Sequence, residues 1–185
     1  MLTTANPDFD RQFRLWRNHG TDIAAKTRHD AANVIFESYP VEGFNYRMTD
    51  LQAAIGRAQL DRLPHILERR RGLADRYRRL FGNASPVRLP MEPEWARSNW
   101  QSYCVRLPEH VDQREVMQAL LDRGIATRRG IPCAHRERPY SGSAHAPLPQ
   151  SEAAQDGCIL LPLYAQMSDQ DQEYVVASVL ELCRR

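Results

Sequence analysis

Apolar residues return every three or four positions along several stretches of the chain, which is the period of an amphipathic helix. The first stretch follows Asn6, a helix-capping residue, with Pro7 at the first helical position. Phe9 and Phe13 then share one face with Trp16, and the stretch ends at Gly20. These residues predict a short amphipathic helix.

A longer helical pattern starts at Thr49, which pairs with Gln52 in a capping box, because each side chain can accept a hydrogen bond from the other's backbone N–H. Pro64 interrupts this pattern, since proline has no N–H to donate to the preceding turn. We therefore predict two helices in tandem, ending at Gly82. The expected apolar face of the first helix contains Leu51, Ile55 and Ala58.

Two further helices are predicted after Asp112 and Ser168, each of which precedes an apolar stripe and has an acidic residue three positions on. A shorter helix is expected at 151–156. The residues expected to be buried in the two capped helices are Val116, Met117, Leu120, Leu121, Val176, Val179, Leu180 and Cys183.

Alternating apolar residues predict a half-buried strand at 102–107, and a shorter strand is expected at 125–129. The apolar run at 159–163 completes this α+β alternation. Short strands are also predicted at 1–4 and 34–36, within an otherwise irregular segment.

The second predicted helix is rich in arginine on one side, most densely at Arg69, Arg70 and Arg71. Such a run is typical of a solvated face, although a helix that binds a nucleic-acid groove would also show it. The net charge of only +2 argues against nucleic acid as a partner. We expect these arginines to be solvated.

Composition places the chain among ordinary globular proteins, with 42% hydrophobic and 26% charged residues. No apolar run approaches the length needed to cross a membrane, and the first residues show no secretion signal, so we expect a cytoplasmic protein. The four cysteines are scattered, which is typical of reduced thiols. Cys133 and His135 lack the spacing of a zinc site with His145 or Cys158, and no orienting acid marks them as a nucleophile and base.

Two segments are candidate ligand sites. Asn45 and Arg47 directly precede the capped helix, where an anion would be favoured, although a plain loop-to-helix transition explains the same residues. The segment 128–136 combines arginines with Cys133 and His135, and it fits either a ligand-facing loop or a polar connection.

At four places the sequence resembles aminotransferases of the DegT/DnrJ/StrS type. The segment 43–71, GFNYRMTDLQAAIGRAQLDRLPHILERRR, is similar to the stretch that follows the cofactor lysine in that family. The segments 124–140 and 148–175 resemble the family's C-terminal loop and closing segment, and RLWRNHG at 14–20 also fits. The resemblance therefore covers nearly the whole chain.

The resemblance implies an α/β fold, namely the C-terminal part of a fold-type I enzyme that uses pyridoxal 5′-phosphate (PLP). It implies the tail of the large PLP-binding domain at 1–48, linking helices at 49–82, and a small α+β domain with a short sheet at 83–185. Family members transfer an amino group, usually from glutamate, to a nucleotide-linked keto-sugar, and they act as homodimers with the active site at the subunit interface.

By resemblance, Asn45 reaches across that interface to the partner's PLP phosphate, supported by Tyr46 and Arg47. The residues implied to contact the nucleotide sugar are Arg128, Arg129, His135 and Tyr140.

The family's cofactor lysine would lie shortly before Met1, and the single lysine present, Lys26, lies outside any matching motif. We therefore expect no catalytic residue in this chain, no covalent attachment of PLP, and a truncated enzyme that is inactive alone. An alternative is a non-catalytic interaction or dimerisation partner of a full-length aminotransferase.

Overall fold

The computed structural model describes residues 2–23, 27, 31–140, 142 and 144–184. The chain divides into two compact units, Met1–Asp61 and Arg62–Arg185.

The first unit contains helix α1, Pro7–Trp16, whose N-terminus is capped by the Asn6 side chain as predicted. Residues 2–4 and 34–36 form no strand, so the strands predicted there are wrong. A strand needs a neighbour to satisfy its backbone N–H and C=O groups, and no described segment pairs with these residues. Met1 lies outside the described residues.

Helix α2, Asp50–Phe81, is one continuous helix of 32 residues with Pro64 inside it, so the prediction of two tandem helices is wrong. A proline in a helix interior costs about 3 kcal/mol. The many other backbone hydrogen bonds of this long helix outweigh that cost. The predicted capping box is confirmed, because Thr49 N donates to Gln52 Oε1 at 2.9 Å and Gln52 N donates to Thr49 Oγ1 at 3.3 Å.

The second unit contains a three-stranded antiparallel sheet with the order β1-β3-β2. Its strands are β1, Tyr103–Arg106, β2, Arg128–Arg129, and β3, Cys158–Leu161. Only the last two residues of the strand predicted at 125–129 pair with β3. The helices are α3, Gln113–Asp122, α4, Pro149–Gly157, and α5, Asp169–Cys183, with two 3₁₀ turns at Ala134–Arg136 and Arg138–Tyr140.

One face of the sheet carries the core of this unit, since alternate side chains of a strand point to the same face. The buried side chains of β1 and β3 belong to one cluster with those of α2, α3 and α5. Leu120 is fully buried, whereas Leu121 is 56% exposed, so the predicted burial of Leu121 is wrong. One helical position rotates a side chain by about 100°, which carries Leu121 away from the core.

The arginines Arg69, Arg70 and Arg71 are not solvated as predicted, because their guanidinium groups donate to backbone carbonyl oxygens of the second unit. The acceptors are Ala165 and Met167 for Arg69, Trp100, Gln101 and Leu163 for Arg70, and Ser98 for Arg71, at 2.6 to 3.3 Å. Carbonyls that leave the regular ladders need such donors when they are partly buried. The three arginines therefore stabilise the fold.

Candidate functional site

The first candidate region lies in the Met1–Asp61 unit, where residues 44–46 run beside 16–19. Phe44 N donates to Trp16 O at 2.6 Å, His19 N to Phe44 O at 3.0 Å, and Tyr46 N to Arg17 O at 3.0 Å. Asn45 is thereby held opposite Asn18 in an antiparallel bridge. The sequence pattern alone did not indicate this backbone pairing.

Close approach of the two segments depends on Gly20 and Gly43. A Cβ atom on Gly43 would lie 2.0 Å from Gly20 N and 2.4 Å from His19 C, and these are backbone atoms with no room to move aside. Gly20 also has a φ of +77°, which glycine adopts without strain. The two glycines therefore set the position of Asn45.

We expect the substitution Gly43→Ala to separate the two segments, because the added methyl group overlaps the backbone of His19 and Gly20. Limited proteolysis should then cut the 17–47 segment several-fold faster than in the unmodified chain. Gly56→Ala is the matched control, since its Cβ would meet nothing within 4 Å and alanine favours the helix. Equal cleavage of both variants would contradict the assigned role of Gly43.

The side chains of Asn45 and Arg47 form a donor pair. Arg47 Nε donates to Asn45 Oδ1 at 3.2 Å, which leaves the Asn45 amide nitrogen and the terminal guanidinium nitrogens of Arg47 as further donors on two exposed residues. The N-terminus of α2 contributes less than expected to an anion site, because Thr49 already caps its Gln52 N–H. Arg47 also lines a cleft of about 400 Å³, together with Asn18, His19, Thr21, Ile23, Glu37 and Tyr39.

These donors fit the phosphate end of PLP, since an amide and a guanidinium suit the oxygens of a phosphate. The amine that would anchor the aldehyde carbon of PLP is not found among the described residues. Lys26, the single lysine of the sequence, lies outside them. The described residues of this region therefore offer contacts to the phosphate end of the cofactor.

The second candidate region lies in the Arg62–Arg185 unit, where the segment after β2 contacts α4. His135 Nε2 lies 2.9 Å from Glu152 Oε1, and the Arg136 guanidinium lies 3.0 Å from Glu152 Oε2. Arg136 also reaches both carboxylate oxygens of Asp156 at 2.8 Å. The buried side chain of Gln155 accepts a hydrogen bond from Cys133 N. Helix α4 therefore contacts this loop through a backbone N–H as well as through side chains.

Charge balance in this region follows from the same contacts. The hydrogen bond from His135, followed by that from Arg136, lowers the pKa of Glu152 below its usual value. Arg136 likewise lowers the pKa of Asp156, and these carboxylates raise the pKa of Arg136. Both acids are therefore ionised at neutral pH.

The other predicted substrate residues make different contacts. Arg129 pairs with Glu137 at 3.5 Å, and Arg128 lies opposite Leu160 in the sheet register. Tyr140 is 53% exposed. His135 therefore contacts α4, whereas Arg129 contacts Glu137 in the loop that follows β2.

Sequence reasoning missed Glu152, Gln155 and Asp156, although Glu152 stands in the LPQSE segment that carried part of the resemblance. Their partners lie 16 to 22 residues earlier in the chain, which is beyond the reach of local spacing rules. Among the described residues, no three His, Cys, Asp or Glu side chains are placed to hold a metal ion. No helix in the described ranges is long and apolar enough to cross a membrane.

Both candidate regions lie within a segment that matches a known protein family. Residues 1–180 match the DegT/DnrJ/EryC1/StrS aminotransferase family. The chain belongs to this family. The resemblance inferred from residues 14–20, 43–71, 124–140 and 148–175 is thereby confirmed.

Solved structures with the same fold include the aminotransferase TlmJ from Streptoalloteichus hindustanus, at 27% identity and a TM-score of 0.81, covering 96% of this chain and 45% of TlmJ. DesI, solved in the presence of its TDP-sugar product, is 26% identical with a TM-score of 0.84, over 99% of this chain and 45% of DesI. PseC from Helicobacter pylori, an aminotransferase involved in pseudoaminic acid biosynthesis, is 20% identical with a TM-score of 0.86, over 98% of this chain and 47% of PseC.

The chain thus spans about half the length of these relatives. Its fold, long helix plus small three-stranded sheet, is that of the corresponding part of a fold-type I aminotransferase, as the sequence predicted.

Proposed function

We propose that this chain is the C-terminal part of a PLP-dependent aminotransferase that acts on nucleotide-linked keto-sugars. The observation that carries the proposal is that almost all of the chain, but under half of each relative, is matched by the aminotransferase TlmJ and by DesI, which was solved in the presence of its TDP-sugar product. In this proposal, 1–48 is the tail of the large domain, 49–82 links the domains, and 83–185 is the small domain. The assembled enzyme is a cytoplasmic homodimer.

Asn45 and Arg47 are the proposed contacts to the PLP phosphate. The hydrogen bond between them supports this role, because it occupies the amide oxygen of Asn45 and leaves the amide nitrogen as a donor beside the Arg47 guanidinium. When bound, PLP supplies the electron-withdrawing ring through which an amino group is transferred. The chain's own part is to hold the phosphate and orient the coenzyme.

Arg128, Arg129, His135 and Tyr140 are the proposed contacts to the nucleotide sugar. Arginine side chains suit the diphosphate of such a substrate, and the imidazole suits a sugar hydroxyl. The amino donor, usually glutamate in this family, reacts in the same site.

The 185 residues by themselves are proposed to be inactive, because Schiff-base chemistry needs an activated lysine. Lys26 is the sequence's only lysine, and it lies outside the motifs shared with the family. A lysine with its ordinary pKa is protonated at neutral pH and attacks a carbonyl poorly.

A second candidate function is that of a non-catalytic dimerisation partner for a full-length aminotransferase. Among the described residues of the Met1–Asp61 unit, only Gly20 is buried. Large apolar side chains are exposed there instead, and such surfaces usually mark a contact with another polypeptide. The more exposed of them are Leu2, Val34, Phe36, Tyr39, Tyr46, Met48, Leu51 and Ile55.

The proposal predicts that the purified chain mixed with PLP shows no visible absorbance of lysine-bound coenzyme and no transamination. A full-length family member with its cofactor lysine intact is the positive control. An absorbance band that disappears in the variant Lys26→Ala would overturn the proposal of an inactive part, because Lys26 would then be the anchor.

The two candidate functions separate in a mixing experiment. The chain is added to a full-length relative in which the asparagine matching Asn45 is replaced and activity is lost. If the chain is a dimerisation partner whose Asn45 completes the phosphate site of the relative, it co-purifies with the relative and restores activity, and Asn45→Ala binds without restoring it. If the chain is only an inactive part of an enzyme, it neither binds the relative nor restores activity.

A further inference from the structure

Four side chains on the loop after β2 and on α4 form one continuous series of hydrogen bonds. It runs from His135 to Glu152, from Glu152 to Arg136, and from Arg136 to Asp156, with distances of 2.8 to 3.0 Å. Each carboxylate oxygen of Glu152 has its own partner, since Oε1 meets His135 and Oε2 meets Arg136. The Glu152 carboxylate is therefore fixed in direction as well as in place.

The hydrogen bond between His135 and Glu152 restricts its side chains most, because His135 is the most buried residue of the series. The side chain of His135 is 11% exposed and that of Glu152 is 34% exposed. His145 closes over His135, with ring centroids 4.6 Å apart and ring planes tilted by 50°. Few other ring orientations are open to a histidine packed in this way.

The contact with Glu152 also determines where the imidazole carries its proton. An ionised carboxylate only accepts hydrogen bonds, so Nε2 must be the nitrogen that carries hydrogen. In the neutral ring Nδ1 is then an acceptor with a lone pair. No described residue donates a hydrogen bond to Nδ1 of His135.

We infer that Glu152 is a positioning residue that acts through His135, holding the proton on Nε2 and leaving Nδ1 as the nitrogen available to a ligand. Nδ1 would accept a hydrogen bond from a hydroxyl or an ammonium group of the ligand. That the donor is a hydroxyl of the keto-sugar rests on the proposed function. The phosphates of the same substrate need donors instead, and the arginines Arg128 and Arg129 supply them.

The same principle applies to His145, whose Nδ1 lies 2.9 Å from Ala146 O. A carbonyl oxygen accepts, so Nδ1 of His145 carries hydrogen, and in the neutral ring Nε2 is the acceptor. The two neighbouring rings therefore offer two acceptor nitrogens, one from each ring.

The test is nuclear magnetic resonance of the full chain labelled with ¹⁵N-histidine, at a pH where the imidazoles are neutral, with His135 assigned from the variant His135→Gln. We expect a solvent-protected ring N–H on Nε2 of His135 and an unprotonated Nδ1. Glu152→Gln should keep this signal, because the amide oxygen still accepts. Glu152→Leu and Glu152→Asp should lose the N–H signal to exchange with solvent. Leucine has no acceptor, and the shorter aspartate side chain places its carboxylate farther from Nε2.

Glu109→Leu is the matched control, because Glu109 is an exposed acid of the same unit and lies outside this cluster. Unchanged signals from histidines outside this cluster, such as His65 and His110, show that a variant is folded. A ring N–H on Nδ1 in the unmodified chain, or an Nε2–H that survives in both Glu152→Leu and Glu152→Asp, would overturn the inference. The measurement needs no cofactor, substrate or turnover, so its failure leaves the proposed function standing, and failure of the activity experiments leaves this result standing.

Discussion

Replacing Leu120 by alanine should lower the free energy of unfolding of the Arg62–Arg185 unit by about 2–5 kcal/mol, the range for large-to-small changes in a packed core. Leu120 is 0% exposed and belongs to the cluster that joins α3 to the sheet and α5. The loss is the sum of the transfer free energy of the removed atoms and the free-energy cost of the cavity that they leave. Urea unfolding followed by circular dichroism measures it, with an unchanged m-value expected.

Leu121→Ala is the control for this experiment, because it deletes the same atoms one position further along α3. Leu121 is 56% exposed, so its substitution should change stability by less than about 0.5 kcal/mol. Similar losses in the two variants would mean that α3 is rotated relative to the arrangement described above.

Replacing Arg70 by methionine should destabilise the same unit by about 2–4 kcal/mol, since charged hydrogen bonds contribute roughly 1.5–3 kcal/mol each and are not additive. Methionine keeps an apolar stem but no donor. The Arg70 guanidinium reaches three carbonyl oxygens, those of Trp100, Gln101 and Leu163, at 3.0 to 3.3 Å. Thermal unfolding of the variant alongside the unmodified chain measures the loss.

Arg79→Met is the matched control, because Arg79 is exposed on the same helix and is expected to contribute under about 0.5 kcal/mol. Arg70→Lys should recover part of the loss, since all three bonds come from the single nitrogen Nη1 and an ammonium can donate to some of the same carbonyl oxygens. A stability equal to that of Arg79→Met would show that the carbonyls around Arg70 are satisfied by water.

Local signals in the sequence located most helices well. The caps at Asn6, Thr49, Asp112 and Ser168 each make the predicted hydrogen bonds, because a cap involves residues only two or three positions apart. Pro64 misled the prediction, since a proline rule describes a local cost and α2 continues into a segment with a buried face. The arginine run misled it for a related reason, as its partners lie 27 to 98 residues away.

The candidate site shows the same division between local and distant information. The resemblance identified Asn45, Arg47 and His135 from short motifs, and their roles stay proposals. The bridge from Asn45 to Asn18 and the contact of His135 with Glu152 join segments 27 and 17 residues apart. No periodicity or capping rule connects such positions, so the orientation of each side chain was visible only in the folded chain.

The scarcity of buried residues in the Met1–Asp61 unit has a consequence for how this protein would melt. A segment whose apolar side chains are covered by a second polypeptide is stabilised by mass action, so its melting temperature rises with the concentration of that polypeptide. When that polypeptide is scarce, the largely exposed residues 31–49 before α2 are a place where proteases can cut. The abundance of this chain in a cell would then follow the abundance of the polypeptide that covers it.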